Sequence, residues 1–282
     1  MLRPLTGPAP KLKLPPGACD THMHFYGKAY PRHPDGPQPA PDATVAEYKQ
    51  LMAWLGIDRV VVVQANAYGD DNRCIMDAVA ELGLDKARAV VVVKPSVSDV
   101  ELDRLTKAGA RGVRIMILPG GHLNFDVMDE ILARVQPFGW HPIVQLDGRN
   151  FEQHEAQLKT IKGNYIIDHT GKFLEPVPVD SPSFKAFLRL LERGNCYVKI
   201  SAPYETSKVG PPTYSDVGAL VKALVKAAPE RMLYASNWPH PSEPLARYPD
   251  DAALLDLFLE TMPDEKHRQL MFVENPARLY GF

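Results

Sequence analysis

The sequence predicts an α/β fold, a single-domain (β/α)8 barrel, and three observations lead to this prediction. Short β-branched runs alternate with amphipathic segments of helical spacing along the 282 residues. Eight of these runs can be counted as strands, and VVVVQ and AVVVV show little alternation, as expected for strands covered by helices on both faces. No glycine-rich nucleotide fingerprint follows a strand, so an open doubly wound sheet is the less favoured alternative.

The predicted elements follow one another, strand then helix. The strands lie in ACDTHMH, RVVVVQ, ARAVVVV, GVRIMIL, HPIVQL, YIIDH, CYVKIS and RMLYAS. The helices lie in VAEYKQLMAWLG, NRCIMDAVAELG, VSDVELDRLTKAG, FDVMDEILARVQPFG, NFEQHEAQLKTI, SFKAFLRLLERG, DVGALVKALVKAAP and near residues 250–261. Apolar residues recur in these segments at the spacing of one helix face. Near the end of the chain, Asn275 and Pro276 are expected to end a helix.

Proline content and net charge indicate how the chain is organised and which kinds of binding partner to expect. Residues 1–17 are proline-rich and predict an extended N-terminal arm, with the barrel in residues 18–282. A net charge of −2 without long runs of like charge gives no footprint for nucleic acid or an anionic membrane surface. Small-molecule partners are therefore expected, whereas the sequence does not indicate an oligomeric state.

The expected location is the cytoplasm. The three cysteines are scattered and form neither a disulfide framework nor a CxxC zinc motif. Prolines interrupt the N-terminus where a signal peptide needs a continuous apolar core. No segment has the roughly 18 unbroken apolar residues of a transmembrane helix.

Polar side chains stand at the carboxyl ends of the predicted strands, which is where a barrel of this kind gathers its active-site loops. They are His22, His24, Gln64, Asn66, Lys94, Arg114, Gln145, Asp147, Asp168, His169, Lys199, Ser201, Asn237 and His240. The two histidines in DTHMH are two residues apart on a strand, so both imidazoles face one side and can converge on one ligand or metal ion. Either histidine, or His169, could instead be a structural residue.

Six motifs carry a family resemblance. CDTHMHFYG, VVVVQANAYGDDN, ARGVRI, YIIDHTGK, YASNWPHP and ENPARLYGF occur in this order over nearly the whole chain. On these motifs the sequence resembles the amidohydrolase superfamily. More narrowly, it is similar to the branch of 2-pyrone-4,6-dicarboxylate lactonase, whose members act on lactones of dicarboxylic acids. The resemblance implies a distorted (β/α)8 barrel.

The resemblance also implies roles for individual residues. His22 and His24 match a histidine pair after the first strand, His169 a histidine after the sixth, and Arg114 an arginine that grips a substrate carboxylate. Lactonase arginine or tyrosine positions that are not kept fall near Gly120, Gln145 and Glu205, and a further arginine is replaced by Lys172. The pocket is therefore expected to suit a less anionic or differently shaped ligand. The expected substrate contacts besides Arg114 are Asn66, Gln145, Lys172, Tyr204 and His240.

The resemblance alone does not decide whether a metal ion binds, so the possible ligand residues of this chain have to be considered. Superfamily hydrolases hold zinc with the histidine pair, middle-strand ligands and a last-strand aspartate, but the lactonase branch works without a metal. This chain has asparagine at the last of these positions, Asn237. We therefore expect no cofactor and no metal site, with the histidines polarising a lactone carbonyl. A weakly held divalent ion at His22 and His24 remains open.

Asn237 stands where the family has the aspartate that takes a proton from the attacking water. An amide has no lone pair of suitable pKa for this task. The remaining nucleophile is a hydroxyl of the substrate itself, which reacts at high effective concentration. We therefore expect an enzyme that isomerises an aldaric 1,5-lactone to the 1,4-lactone, and the resemblance supplies D-galactarate as the sugar acid. The alternatives are a metal-independent lactone hydrolase that recruits Asp147 or Asp168 as base, and a non-catalytic aldarate-binding barrel.

Overall fold

All eight predicted strands are present in the computed structural model, which describes residues 3–282. They are β1 (Cys19–Met23), β2 (Arg59–Val63), β3 (Ala87–Val91), β4 (Ala110–Met116), β5 (His141–Gln145), β6 (Tyr165–Ile167), β7 (Cys196–Ile200) and β8 (Met232–Tyr234). Each strand pairs in parallel with the next, in sequence order. The predicted (β/α)8 barrel is confirmed.

Helices follow the strands as the sequence predicts. They are α1 (Val45–Leu55), α2 (Arg73–Leu82), α3 (Asp99–Lys107), α4 (Met128–Val135), α5 (Phe151–Leu158), α6 (Pro182–Glu192), α7 (Ser215–Ala227), α8 (Asp251–Asp256) and α9 (Phe258–Thr261). The last predicted helix, near residues 250–261, is thus two short helices. None of the described helices is both long enough and apolar enough to span a membrane.

The C-terminal segment corrects one expectation. Helix α10 (Glu265–Gln269) and a π-helical turn (Leu270–Glu274) lead into α11 (Asn275–Tyr280), so Asn275 begins a helix rather than ending one. Pro276 lies in the first turn of α11, immediately after the π-helical turn. The Asn275 amide donates to the carbonyl of Met232 at 2.8 Å, which ties α11 to the start of β8.

Both faces of the strands are buried, as their unbroken apolar runs predict. On β2, Val61 and Val63 face the barrel interior, where they pack with Ile143 and Ile166, while Val60 faces the helices. Apolar side chains from several strands thus fill part of the barrel interior. All three cysteines are buried thiols in this core.

Side chains join β1 to β8 and close the barrel. Thr21 Oγ1 donates to the carbonyl of Tyr234 at 2.7 Å. The buried Asp20 carboxylate accepts hydrogen bonds from the Ser236 backbone at 2.9 Å, from the Ser236 hydroxyl, and from the Tyr48 hydroxyl of α1 at 2.8 Å. These contacts fix the loop after β8 against the start of the chain's first strand.

Residues 3–17 contain no helix or strand and run along the barrel surface. Leu12 is buried, and its backbone N–H donates to Asp256 at 2.9 Å. The Arg3 guanidinium lies 5.1 Å from the centre of the Trp238 ring. The division of the chain into an arm of residues 1–17 and a barrel of residues 18–282 stays a prediction. The first two residues of the arm lie outside the described range.

Candidate active site

A cavity of about 340 Å³ opens at the carboxyl ends of the strands. The sequence-predicted residues on its wall are His24, Asn66, Arg114, Gln145, His169, Lys172 and Asn237. The other three, His22, Tyr204 and His240, lie behind this wall and contact His24 or Asn237 on it. Tyr26 and Glu205 also line the cavity, although no sequence pattern indicated Tyr26 as a site residue.

The histidine pair of β1 is held by hydrogen bonds that fix its protons. The Nδ1 atom of His24 lies 2.8 Å from the carbonyl oxygen of Val63, which can only accept, so this nitrogen carries the proton. Neutral His24 therefore has a bare Nε2. This atom lies 3.1 Å from His22 Nε2, so His22 is the donor in that contact.

Behind the pair lies a buried charged cluster formed by His22, Asp168 and Lys199. His22 Nδ1 is 3.1 Å from the Lys199 ammonium and 2.9 Å from an Asp168 oxygen, and the two charged groups are 3.9 Å apart. Burial opposes ionisation of Asp168, but His169, His22 and Lys199 together hold its pKa well below the usual value. Burial lowers the pKa of Lys199 to about 8.

The two histidines on the cavity wall remain neutral at physiological pH. Burial lowers the pKa of His24 to about 3 and that of His169 to about 4. The Nδ1 atom of His169 lies 2.7 Å from the Ser201 hydroxyl, and its ring centre is 4.7 Å from that of His22. Two neutral imidazoles therefore face the same cavity.

Asn237 reaches the cavity from the loop after β8. Its backbone N–H donates to the carbonyl of His22 at 2.8 Å, which places it beside the histidine pair. Its φ of 58° is left-handed, a conformation that asparagine adopts more readily than most residues. Its side-chain Nδ2 lies 2.9 Å from the Tyr204 hydroxyl and 3.5 Å from a Glu205 oxygen.

Tyr204 and His240 continue this contact away from the cavity. The Tyr204 hydroxyl is 2.8 Å from His240 Nδ1, and His240 Nε2 is 3.0 Å from a carboxylate oxygen of Asp251. Sequence reasoning did not find Asp251. Its only signal is its position in the first turn of a helix, where an aspartate is common because the helix dipole favours a negative charge there.

The charges on the cavity wall are unequal. Arg114 donates to neutral oxygens of Gln64 at 2.8 Å, Asn66 at 3.1 Å and Gln145 at 2.9 Å. Lys172, by contrast, forms an ion pair with Glu205. Among the cavity-lining residues within the described range, Arg114 is thus the permanent cation without an anion in contact. Asn66 and Gln145, predicted to contact substrate, hold this guanidinium in place.

An eight-stranded parallel barrel with a histidine pair at the end of β1, a histidine after β6 and a β8-loop residue facing them defines an enzyme of the amidohydrolase type. The chain belongs to the amidohydrolase family, since the sequence model of that family matches residues 19–282. The predicted superfamily resemblance is confirmed.

Named relatives narrow the comparison. The chain is 41% identical to a D-galactarolactone isomerase from Agrobacterium fabrum over 99% of this chain and 96% of that protein. It is 34% identical to a 2-pyrone-4,6-dicarboxylate hydrolase from Comamonas testosteroni over 96% of this chain and 92% of that protein. An apo crystal structure of an Agrobacterium tumefaciens protein, 41% identical, superposes with a TM-score of 0.95 over 99% of both chains. The similarity to the lactonase branch is confirmed.

The donor set can be tested against the zinc that many members of the superfamily hold. His22, Asp168 and His169 offer possible ligand atoms within 4.8 Å of one another, and their types suit zinc. However, a divalent ion bound to Asp168 would lie beside the Lys199 ammonium, which already balances that carboxylate. The residues present therefore do not fit such an ion, and no chemical step below depends on one. The absence of a cofactor stays a prediction.

Proposed function

We propose that this chain is a lactone isomerase that converts D-galactaro-1,5-lactone into D-galactaro-1,4-lactone. Asn237 is the observation that carries the proposal, because it occupies the wall of the cavity beside the histidines with an amide in place of a base. The similarity to a D-galactarolactone isomerase over nearly the full length of both chains supports the choice of sugar acid.

In the proposed reaction the 4-hydroxyl oxygen of the substrate adds to the lactone carbonyl carbon. The tetrahedral species collapses as the bond from this carbon to the ring oxygen O5 breaks. The proton of the 4-hydroxyl ends on O5, and no water is consumed. Intramolecular attack removes most of the entropic cost of bringing in a second reactant.

In our proposal His169 polarises the carbonyl, and His24, whose Nε2 is bare, acts with His169 in relaying this proton. His24 and His169 lie on the cavity wall and are neutral, so either can exchange a proton without carrying a permanent charge. His22 lies behind His24 and acts through it. The Asp168 carboxylate, 3.7 Å from His169 Nε2, stabilises the positive charge that a proton would bring to that ring.

The charge of the cavity supports a substrate with one free carboxylate. An aldaric monolactone has one carboxylate in the ring ester and one free, whereas a pyrone dicarboxylate has two free. Arg114 is the cation available to bind an anion, since Glu205 already neutralises Lys172. We therefore assign the free carboxylate to Arg114 and give Lys172 an indirect role in shaping the wall.

Hydrolysis is the second candidate, because several relatives are named hydrolases. It needs a base, and Asp147 and Asp168 are the sequence candidates. Asp147 is bound by Arg149 at 2.6 Å and 2.8 Å, and Asp168 lies behind the wall with His22 and Lys199. Neither carboxylate lines the cavity. The Glu205 carboxylate does, but Lys172 and Ser242 bind it, and despite burial the nearby Lys172 ammonium contributes to holding its pKa at about 2, which makes it a poor base, so the contacts favour isomerisation.

The experiment is NMR of freshly prepared D-galactaro-1,5-lactone with the enzyme, corrected for spontaneous ring opening. Growth of the 1,4-lactone supports the proposal. Enzyme-dependent growth of the open diacid supports hydrolysis, and no change in rate supports the binding barrel. Repeating the assay after exhaustive chelation, with metal content measured on the same sample, tests the prediction that no metal is needed.

A further inference from the structure

A chain of hydrogen bonds runs from Asp251 through His240 and Tyr204 to Asn237, behind the cavity wall. The side chains at its two ends and His240 are almost inaccessible, with Asn237 2% exposed, Asp251 3% and His240 0%. The proposed proton transfers use neither Asp251 nor His240. In a buried row of hydrogen-bonded side chains, each donor needs an acceptor and each acceptor needs a donor. The hydrogen atoms in this row therefore have a defined arrangement.

The direction of each hydrogen bond follows from the ends. A carboxylate has only acceptor atoms, so His240 Nε2 carries a proton and donates to Asp251 over 3.0 Å. At the other end, Asn237 Nδ2 can only donate, so the Tyr204 hydroxyl directs its hydrogen to His240 Nδ1 over 2.8 Å, and that nitrogen is bare. Burial, with Glu205 nearby, raises the pKa of Tyr204 well above its usual value, so the hydroxyl keeps its proton. Its oxygen therefore accepts from Asn237 Nδ2.

Glu205 fixes the same orientation of the Asn237 amide independently. Its carboxylate oxygen lies 3.5 Å from Nδ2 and would repel the amide oxygen in that place. The carboxylate is itself held by Lys172 and by the Ser242 hydroxyl, the latter at 2.6 Å. The amide oxygen Oδ1 lies on the other side of the planar group, and within residues 3–282 no protein donor contacts it.

We propose that Asp251, His240 and Tyr204 form a positioning relay that turns the Asn237 amide so that Oδ1 faces the lactone and accepts the hydrogen bond of the attacking hydroxyl. The identity of that hydroxyl rests on the proposed function, but the direction of the relay does not. The relay also disfavours aspartate at position 237. A carboxylate has no hydrogen to give Tyr204, whose own hydrogen is directed to His240.

The relay can be reversed by two isosteric changes. With Asp251→Asn, an amide N–H can donate to His240 Nε2, so that His240 Nδ1 carries the proton and donates to Tyr204. The Tyr204 hydroxyl is then free to donate to a carboxylate at position 237. Asp251→Asn and Asn237→Asp should therefore each disturb the wild-type chain, whereas the double variant has a consistent chain that runs the other way.

The test is a double-mutant cycle of these two changes, measured by melting temperature and by the NMR product assay. We expect the double variant to melt several degrees higher than the sum of the two single losses predicts. We also expect the ratio of open diacid to 1,4-lactone to be larger in the double variant than in Asn237→Asp alone. The repulsion between a carboxylate at position 237 and Glu205 is present in both proteins that carry Asn237→Asp, so it cancels in the cycle.

Asp250→Asn is the matched control. Asp250 is the exposed neighbour that caps α8, so the change also removes one carboxylate but leaves the relay intact. Its melting-temperature loss should add to that of Asn237→Asp without coupling. Additive losses for Asp251→Asn as well would overturn the relay, and so would coupling of equal size for both aspartates.

Tyr204→Phe keeps the ring and removes the middle of the relay. We expect kcat for isomerisation to fall about tenfold, the effect of one lost hydrogen bond, with KM nearly unchanged. An unchanged kcat would overturn the positioning role. The stability cycle separates the two proposals: coupling in a protein that does not isomerise supports the relay and contradicts the proposed function, while isomerisation without coupling does the reverse.

Discussion

Two histidine-centred clusters flank the cavity, and they are built on opposite principles. Around His22, an ammonium and a carboxylate are fully buried and balance each other, so the cluster can stabilise a changing charge. Around His240, the partners are a tyrosine and, beyond it, an amide, with one carboxylate at the far end. This second cluster holds a direction of hydrogen bonding. The comparison separates a part of the site that moves protons from a part that orients a neutral group.

The two clusters also differ in what supports them. His22, Asp168 and Lys199 belong to strands or strand ends of the barrel, where neighbouring strands fix the backbone. Asn237 and His240 lie in the loop after β8, and both have left-handed φ values, 58° and 53°; beside the first cluster, His169 also has a left-handed φ, 45°. A non-glycine residue in this conformation is strained and depends on its neighbours to hold it. Changes at the first cluster should therefore alter chemistry most, and changes at the second should alter product choice.

The largest effect is expected when His22, or one of the two wall histidines in contact with it, is removed. His22→Ala, His24→Ala and His169→Ala should each lower turnover by about 100- to 1,000-fold, as for loss of a group that relays a proton or donates to the oxyanion. Steady-state kinetics of the three variants measures this. His154→Ala, on the surface helix α5, is the control and should retain wild-type turnover. A His169 variant with wild-type rates would remove that residue from the mechanism.

Loss of the carboxylate grip should have the next largest effect. Arg114→Met removes a charge-assisted pair that forms in both ground and transition states, so KM should rise by about 10- to 100-fold, with a smaller change in kcat. Arg149→Met removes a guanidinium of the same kind that lies outside the cavity, and its KM should stay within about twofold. Equal KM changes in both variants would contradict the assignment of the free carboxylate to Arg114.

Asn237→Asp changes the product more than the rate. It adds a carboxylate where the family has its base, so water should compete with the internal hydroxyl and open diacid should form. Isomerisation should fall by about tenfold, since the variant loses the Tyr204 hydrogen bond that orients position 237. Paired NMR assays of variant and wild type follow both products. If the variant makes no more open diacid than wild type, Asn237 does not stand in place of a base.

The sequence predicts the barrel and most of the cavity wall because both depend on local patterns. Strand ends in a barrel converge, so polar residues such as His24 and Arg114 could be expected to meet. The far end of the orienting cluster was harder to find. Asp251 is separated from Asn237 by a loop, and in the first turn of a helix its carboxylate looks like an ordinary partner of the helix dipole. Only the folded loop brings it to His240.

Lys172 and Asn275 show why local reading was incomplete. A lysine in place of a family arginine predicts substrate binding, but the partner that decides its charge, Glu205, follows a different strand. Asn275 precedes a proline, and a residue in that place usually marks the end of a helix. Here Asn275 is the first residue of α11, and its side-chain amide donates to the backbone carbonyls of Pro229 and Met232 at the start of β8. In both cases a contact distant in sequence determines the role of the residue.

The smallest effect is expected at a buried histidine outside both clusters, where a substitution should change the pH dependence of stability and leave activity unchanged. His141 stands at the start of β5, away from the cavity, and its ring packs on Tyr280. Burial lowers its pKa to about 3, as burial does for His24, and lowers that of His169 to about 4. These folded-state pKa values lie below the unfolded value, so the unfolded chain binds more protons below about pH 6.5.

The contribution of these histidines to the free energy of unfolding should therefore be complete above about pH 6.5. It should fall as the pH drops toward the folded-state pKa values of about 3 to 4. Each such histidine contributes a slope of about 1.4 kcal/mol per pH unit near pH 5. His141→Phe keeps an aromatic ring against Tyr280 and should reduce the slope by one such contribution, measured by denaturant unfolding at about pH 5 to 7. Because position 141 lies outside both clusters, the pH profile of isomerisation should not change. A shifted pH profile would mean that protonation of a group in the barrel interior affects the reaction in the cavity. The division of the site into a proton-moving and an orienting cluster would then be incomplete, because the core would also contribute.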